Sequence, residues 1–253
     1  MFDVWDHELP EISGVSRSRS KIIEQIHFVR DQDMHSLCYI PLFDREQPVT
    51  WGEDIKRIVD DYNEQLKGIT LLTGHTLPLY DELLLDLESG QAFTLNKTRF
   101  VFITLDGTDL ELAANKLYHL AVAGYYPVLL YPETDKRIQR NPDLLYKFVK
   151  NGAYTMVNAM SLLQTNDKAL KKCIRTLLNG NLIHMIGNYT EILLSERGER
   201  DEVKRILTKY SPEQSEHIQK NFSHLLNRAQ IIIEEPLHVD KRSFSSFFSK
   251  SRA

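Results

Sequence analysis

The residues able to do chemistry sit where apolar runs stop. "MFDVWDHELPE" opens the chain with a short strand that runs into Asp6 and His7. A strand ending in His-x-His is a common start for a divalent-metal site. Alternate strand side chains share a face, so two imidazoles converge on one ion. His7 stands at the second of those positions, and Trp5 stands at the first. Further on, His75 follows "GITLLTG", Asp106 follows "RFVFITL" and Glu133 follows "YYPVLLYP". With Asp6, these are the remaining nitrogen and oxygen donors at strand ends, and their chemistry is metal-assisted hydrolysis. The supply is thin. The runs that end at Leu42 and Phe43, at Asn158, and at Asn188 bring almost nothing that holds a divalent ion well. Other schemes fare no better. The run from Cys38 to Arg45 is one residue too long for a cysteine-phosphatase loop and holds Pro41, Leu42 and Phe43 where small residues are needed. A Gly-x-Ser-x-Gly elbow, a Walker loop and a Gly-x-Gly-x-x-Gly fingerprint are all missing.

The elements that must position these residues alternate along the chain. Strand candidates are "FDV" at the start, then 36–41, 68–74, 99–105, 125–132, 153–159 and 182–187. Helical patterns fall over 16–32, 51–67, 77–89, 109–123, 141–151 and 167–180, with two more over 196–209 and 212–229. The strands are short and nearly all apolar, as parallel strands buried on both faces are. "AGYYP", "NGAYT" and "NGNLI" each put a glycine after a helix and before a strand, the left-handed stop that reverses the chain. Leu110, Leu117, Leu120 and Val122 form the apolar side of the helix over 109–123. Asn141 and Pro142 read as the N-cap and first residue of the next helix. Seven βα units make a barrel or a doubly wound sheet, and periodicity does not choose between them. In either, chemistry lies at the carboxyl ends of the strands.

Composition sets the outer limits. The 253 residues, 42% hydrophobic and 26% charged, suit one soluble α/β domain. A net charge of −4 without a long basic run argues against nucleic acid. Apolar runs stay below the roughly 18 residues of a membrane span, and the N-terminus lacks the pattern of a signal peptide. Two cysteines, Cys38 and Cys173, make no disulfide framework, read as small core residues, and fit a reducing cytoplasm.

In order and spacing, the landmarks "FDVWDHELP", "LLTGHTLPLYDELLLDLESGQAFTLN", "GYYPVLLYPE", "NPDLLYKFVKNGAYTMVNAMSLL" and "NLIHMIGN" resemble the PHP-family bacterial tyrosine-protein phosphatases of capsule and exopolysaccharide operons, the CpsB/CapC/YwqE type. The resemblance implies an α/β fold, a PHP-type distorted (β/α)7 TIM-like barrel over 1–235, followed by a flexible Ser/Phe/basic tail over 236–253. It also implies a divalent cluster, usually manganese, that hydrolyses phosphotyrosine, typically on the tyrosine-rich tail of a kinase.

Against that pattern the ligand positions read Trp5, Leu42, Phe43, Thr76, Thr104, Tyr131, Asn188 and Thr190, and the phosphate-binding arginine reads Thr134. Only His7 keeps a ligand, as a remnant. Buried carboxylates stripped of their metals repel one another and are poorly solvated, so neutral or apolar replacements are the physical outcome. Trp5, Leu42, Phe43 and Tyr131 are expected to fill the vacated space. The resulting expectation is a divergent, catalytically inactive member with no cofactor, binding a tyrosine kinase, its tail, an active paralogue or a second copy of itself. Two alternatives stay open: an enzyme, either an active or weakly active metal-dependent phosphatase or a barrel with a relocated site around Asp6, His7, His75 and Glu133, and a structural subunit of an active paralogue. "SRSRSK" (16–21) reads as a solvated helix start rather than a phosphate site.

Overall fold

The structure, a computed structural model, describes residues 2–5, 9–14, 16–48, 50–163, 166–195, 200–210, 212–227 and 231–239. Asp6, His7 and residues 240–253 therefore lie outside the described residues. The chain runs β1 (Phe2–Trp5), α1 (Pro10–Ser13), α2 (Arg19–Arg30), β2 (Ser36–Tyr39), α3 (Trp51–Asn63), β3 (Thr70–Thr73), β4 (Thr76–Pro78) and α4 (Leu83–Ser89). It continues through β5 (Phe100–Thr104), α5 (Leu110–Val122), β6 (Tyr126–Leu130), α6 (Lys136–Arg140), α7 (Asp143–Lys150), β7 (Tyr154–Asn158) and α8 (Ala159–Leu163). The last elements are α9 (Lys168–Asn179), β8 (Met185–Gly187), α10 (Tyr189–Leu194), α11 (Arg200–Tyr210) and α12 (Ser215–Leu226).

All strand pairs are parallel. β1, β2 and β3 form one sheet, and β4 to β8 form a second in sequence order. A single bridge joins them: Phe43 N donates to Thr76 O at 2.8 Å, and Thr76 N donates to Pro41 O at 3.0 Å. At the far ends of the two sheets, no ladder pairs β8 with β1 among the described residues. Side chains connect them instead, as Thr190 N donates to Asp3 Oδ2 at 2.6 Å and Thr190 Oγ1 to Val4 O at 3.2 Å.

Strand alternation sorts the core into two faces. Leu37, Leu71, Val101, Leu129, Val157 and Ile186 pack with the helices, including Ile26 of α2, Val59 of α3 and Leu177 of α9. Val4, Cys38, Phe102, Val128, Met156 and Met185 form a second cluster with Phe222 and Leu225 of α12. α12 thus covers the face opposite the other helices, with the Phe102 and Phe222 rings 6.4 Å apart. Both cysteines are buried and unpaired, as read from the sequence.

Four local readings change. The helix expected over 77–89 begins only at Leu83, because Thr76–Pro78 form a strand. Leu77 precedes a proline, which disfavours helical backbone there and favours an extended one. The structure therefore has eight strands among the described residues rather than seven. Gly124 and Gly152 do adopt the left-handed stop, but at "NGNLI" the left-handed residue is Asn181. Gly180 has another role: a Cβ there would lie 2.9 Å from Val239 Cγ2, and its carbonyl accepts from Leu237 N at 2.8 Å. On α5 Val122 is 67% exposed, and Ala113 joins Leu110, Leu117 and Leu120 on the buried side. Finally, α7 begins at Asp143, with the Asn141 carbonyl accepting from Leu144 N.

Beyond residue 235, Leu237, His238 and Val239 are bound to the body of the fold, the last two through the Asp143 carboxylate. No helix among the described residues is long and apolar enough to cross a membrane.

Candidate functional site

The carboxyl ends of β5 and β6, with Thr76 at the start of β4, meet around a cleft of about 230 Å³. Its polar lining is Thr76, Thr104, Asp106, Tyr131, Thr134 and Asp135. Four positions singled out from the sequence thus converge: Thr76, Thr104, Tyr131 and Thr134. Their hydroxyls are largely committed to the protein. Thr76 Oγ1 donates to Ile40 O at 2.8 Å, and Thr134 Oγ1 donates to Tyr131 O at 2.8 Å. Thr104 Oγ1 donates to Asp106 Oδ2 at 3.1 Å and accepts from Asp106 N at 3.2 Å. Tyr131 takes a left-handed backbone (φ 49°) and donates its N–H to Met156 O at 2.7 Å. Its hydroxyl reaches to 3.6 Å from where a Cβ on Gly187 of β8 would stand, and Met156 Sδ lies only 2.6 Å from that point. A Cβ at Gly187 would therefore force the Met156 side chain to move.

The guanidinium that pairs with the cleft's Asp135 is already spent. Arg137 grips Asp135 through Nε (3.0 Å) and Nη2 (2.5 Å), and donates to the carbonyls of Thr108 (2.5 Å) and Leu105 (2.9 Å). Burial would lift the Asp135 carboxyl, but hydrogen bonds from Arg137 outweigh it and hold the group below the usual range. A guanidinium so engaged offers no free fork to a phosphate.

The buried ionisable groups lie elsewhere. His75 is sandwiched by aromatic rings, stacked on Phe93 at 4.7 Å and on Trp51 at 5.3 Å, with Phe43 tilted at 5.2 Å. Its Nδ1 accepts from Phe93 N at 3.1 Å, and burial, helped by Lys56, pulls its pKa down to about 4. Such an imidazole is neutral and faces hydrocarbon. Glu133 Oε1 accepts from Asn158 N at 3.0 Å. Burial pushes Glu133 up to about 7, against hydrogen bonds from Asn158, its own backbone and Ser161, and it faces Cys173, whose thiol it helps to raise. Asp3 is likewise lifted to about 7 by burial, against backbone N–H groups of Thr190, Tyr189 and Val4. The contacts of His75 and Glu133 do not overlap, so these two residues of the relocated site are not brought together. Among the described residues, no three His, Cys, Asp or Glu side chains converge as a metal site would need.

The other sequence-selected positions are dispersed. Trp5 and Phe43 lie in the helix-side core, whereas Tyr131 packs against the opposite cluster. Leu42 is 61% exposed, so it fills no pocket. Strand alternation explains the split, since adjacent Leu42 and Phe43 must face opposite ways. Asn188 (φ 62°) starts α10 and donates to Glu191 at 2.7 Å, and Thr190 holds Asp3. In "SRSRSK", Arg19 engages Glu11 at 3.5 Å and the Tyr62 ring at 4.2 Å. Sequence reasoning missed Met156 and Gly187, and it matched Asp3 to the aspartate that opens the family's motif without giving it a role. A charged residue inside an apolar strand was the available signal for Asp3.

The molecule is a parallel α/β protein of successive βα units with a cleft beside the carboxyl ends of its strands, where parallel α/β folds place their binding sites. A family model described as "Capsular polysaccharide synthesis, CpsB/CapC" matches residues 1–227, and the chain belongs to that family. The tyrosine-protein phosphatase YwqE of Bacillus subtilis (strain 168) is 26% identical over 254 residues, spanning 98% of this chain and 100% of that protein. CapC of Staphylococcus aureus is 24% identical over 196 residues, or 74% of this chain and 76% of that one. A solved structure, from work on YwqE of B. subtilis and CpsB of Streptococcus pneumoniae as metal-dependent tyrosine phosphatases, superposes with a TM-score of 0.82 at 25% identity, covering 95% of this chain and all of that one.

Proposed function

We propose that this chain is a catalytically inactive member of its family, a binding or regulatory protein on a distorted seven-unit βα barrel whose metal cluster has been lost. One observation carries the reading: the strand-end cleft is built from threonine and tyrosine hydroxyls, most of them already bonded to protein. A divalent cluster needs several converging carboxylates and imidazoles to balance its charge. The lining does not fit that demand, because its two carboxylates, Asp106 and Asp135, are held by Thr104 and Arg137. Neutral replacement removes the repulsion that unmetallated carboxylates would suffer, which favours the substitutions as a set over scattered damage. The partners that fit this reading are a bacterial tyrosine kinase, its tyrosine-rich tail or an active paralogue, in the cytoplasm.

The test is manganese loading of the pure protein, followed by metal analysis and a phosphotyrosine-peptide hydrolysis assay. The reading expects no retained manganese and no turnover above a blank. Stoichiometric manganese with turnover would establish the active phosphatase instead. If that activity then vanished in His7→Ala or His75→Ala, it would belong to the relocated site.

A further inference from the structure

Away from the strand ends lies a second concavity of about 260 Å³, bounded by α8, α9 and α11. Its floor is apolar: Leu162, Ile174 and Leu178 are buried, and Ile206 is half-buried. Its rim carries the exposed cations Lys171, Arg175, Arg205 and Lys209. α9 has four cationic residues and no acidic one. On a chain of net charge −4, that helix is a local reversal of sign.

The pattern is not explained by the fold. Lys168, Lys171, Lys172 and Arg175 repeat at three- and four-residue spacing along α9, where like charges oppose helix formation. Lys171 makes no ion pair among the described residues, and the rim's one acid, Glu202, pairs with Arg205 at 2.8 Å. Arg175 is held in place by Tyr210, donating to its hydroxyl at 2.7 Å with the guanidinium 4.9 Å from the ring. Lys209 sits 5.4 Å from the same ring. Two rim cations are thus arranged around one aromatic pillar, and neither pairs with an acid among the described residues.

Shape decides the partner. A bilayer would meet the rim and leave the recessed floor empty. Nucleic acid would find phosphate partners but no free aromatic ring for a base, since Arg175 and Lys209 already flank Tyr210. An acidic peptide uses both features: an apolar side chain enters the floor while flanking carboxylates meet the rim. We propose that the α8–α9–α11 groove is a docking site for an acidic, apolar-anchored peptide segment of a partner protein. The proposal does not depend on whether the strand-end cleft is active.

The test uses the full chain and a fluorescein-labelled, glutamate-rich peptide with a central Leu-Phe pair, followed by fluorescence anisotropy. Binding is expected to weaken with salt, as exposed charge pairs do, and to fall at least about tenfold in Arg175→Glu. Lys171→Glu, which disturbs no contact of the fold, is expected to weaken binding in the same direction. Replacing the peptide's glutamates by glutamine, or Leu-Phe by Ser-Ser, is expected to abolish it. Binding indifferent to both charge reversals would overturn the proposal. So would absence of peptide binding alongside charge-dependent binding to phosphatidylserine vesicles or duplex DNA, or a dimer in light scattering that Lys171→Glu dissolves.

Discussion

Asp3→Asn is the perturbation whose effect follows most directly from the structure. Asp3 is fully buried in β1, and its pKa rises from 3.8 to about 7. Each pH unit across that interval is worth about 1.4 kcal/mol. Ionised Asp3 therefore costs the folded state about 4 kcal/mol relative to its protonated form. The sign is set by a folded pKa above the unfolded one. The stabilisation is complete below about pH 4 and is lost as pH rises through about 7. Asparagine mimics the protonated acid and keeps an oxygen for the Thr190 N–H, now accepted at 2.6 Å. Asp3→Asn should match the wild type near pH 4 and exceed it by up to about 4 kcal/mol near pH 8. Urea unfolding followed by Trp5 and Trp51 fluorescence reads this as a midpoint shift of about 1–2 M at the higher pH. Equal midpoints near pH 8, or an offset that does not change with pH, would refute the reasoning.

Further outcomes follow from the same geometry. Gly187→Ala puts a Cβ 2.6 Å from Met156 Sδ and should destabilise by about 1–3 kcal/mol; Met156→Ala in the same chain should recover part of that loss in thermal unfolding. His75→Phe removes the acceptor for Phe93 N and should cost about 1–3 kcal/mol at neutral pH. That gap should narrow as pH falls from about 6.5 toward 4, because a depressed histidine pKa contributes stability that is lost on acidification. In the wild type, Asp3 and Glu133 oppose His75 and His184 over this window, so its own profile should be flatter than either variant's.

Much of the scaffold was readable because its signals are local. Gly124 and Gly152 mark chain reversals, since a left-handed residue is costly with a side chain. The convergence of Thr104, Tyr131 and Thr134 followed from a topological rule, as parallel strands bring their carboxyl ends to one edge, whereas Thr76 joins them from the first residue of β4. What was not readable depended on tertiary partners. β4 looked like the start of a helix because its partners, β5 and the Leu42 bridge, are distant in sequence. His75 and Glu133 both follow strands, yet one turned into an aromatic stack and the other toward Cys173. The filling role assigned to Leu42 failed because its neighbour Phe43 took the buried direction. The partner of Asp3 was hidden because its link to Thr190 joins the first strand to the helix after the last one.

On the proposed reading, a cleft of committed hydroxyls does not assemble the metal chemistry of the phosphatases it resembles. The most direct test of that reading is the stoichiometry of manganese bound after saturation and desalting, measured on the same sample whose phosphotyrosine hydrolysis is assayed. The account predicts no retained manganese and no turnover above blank. Stoichiometric manganese accompanied by metal-dependent turnover would contradict it.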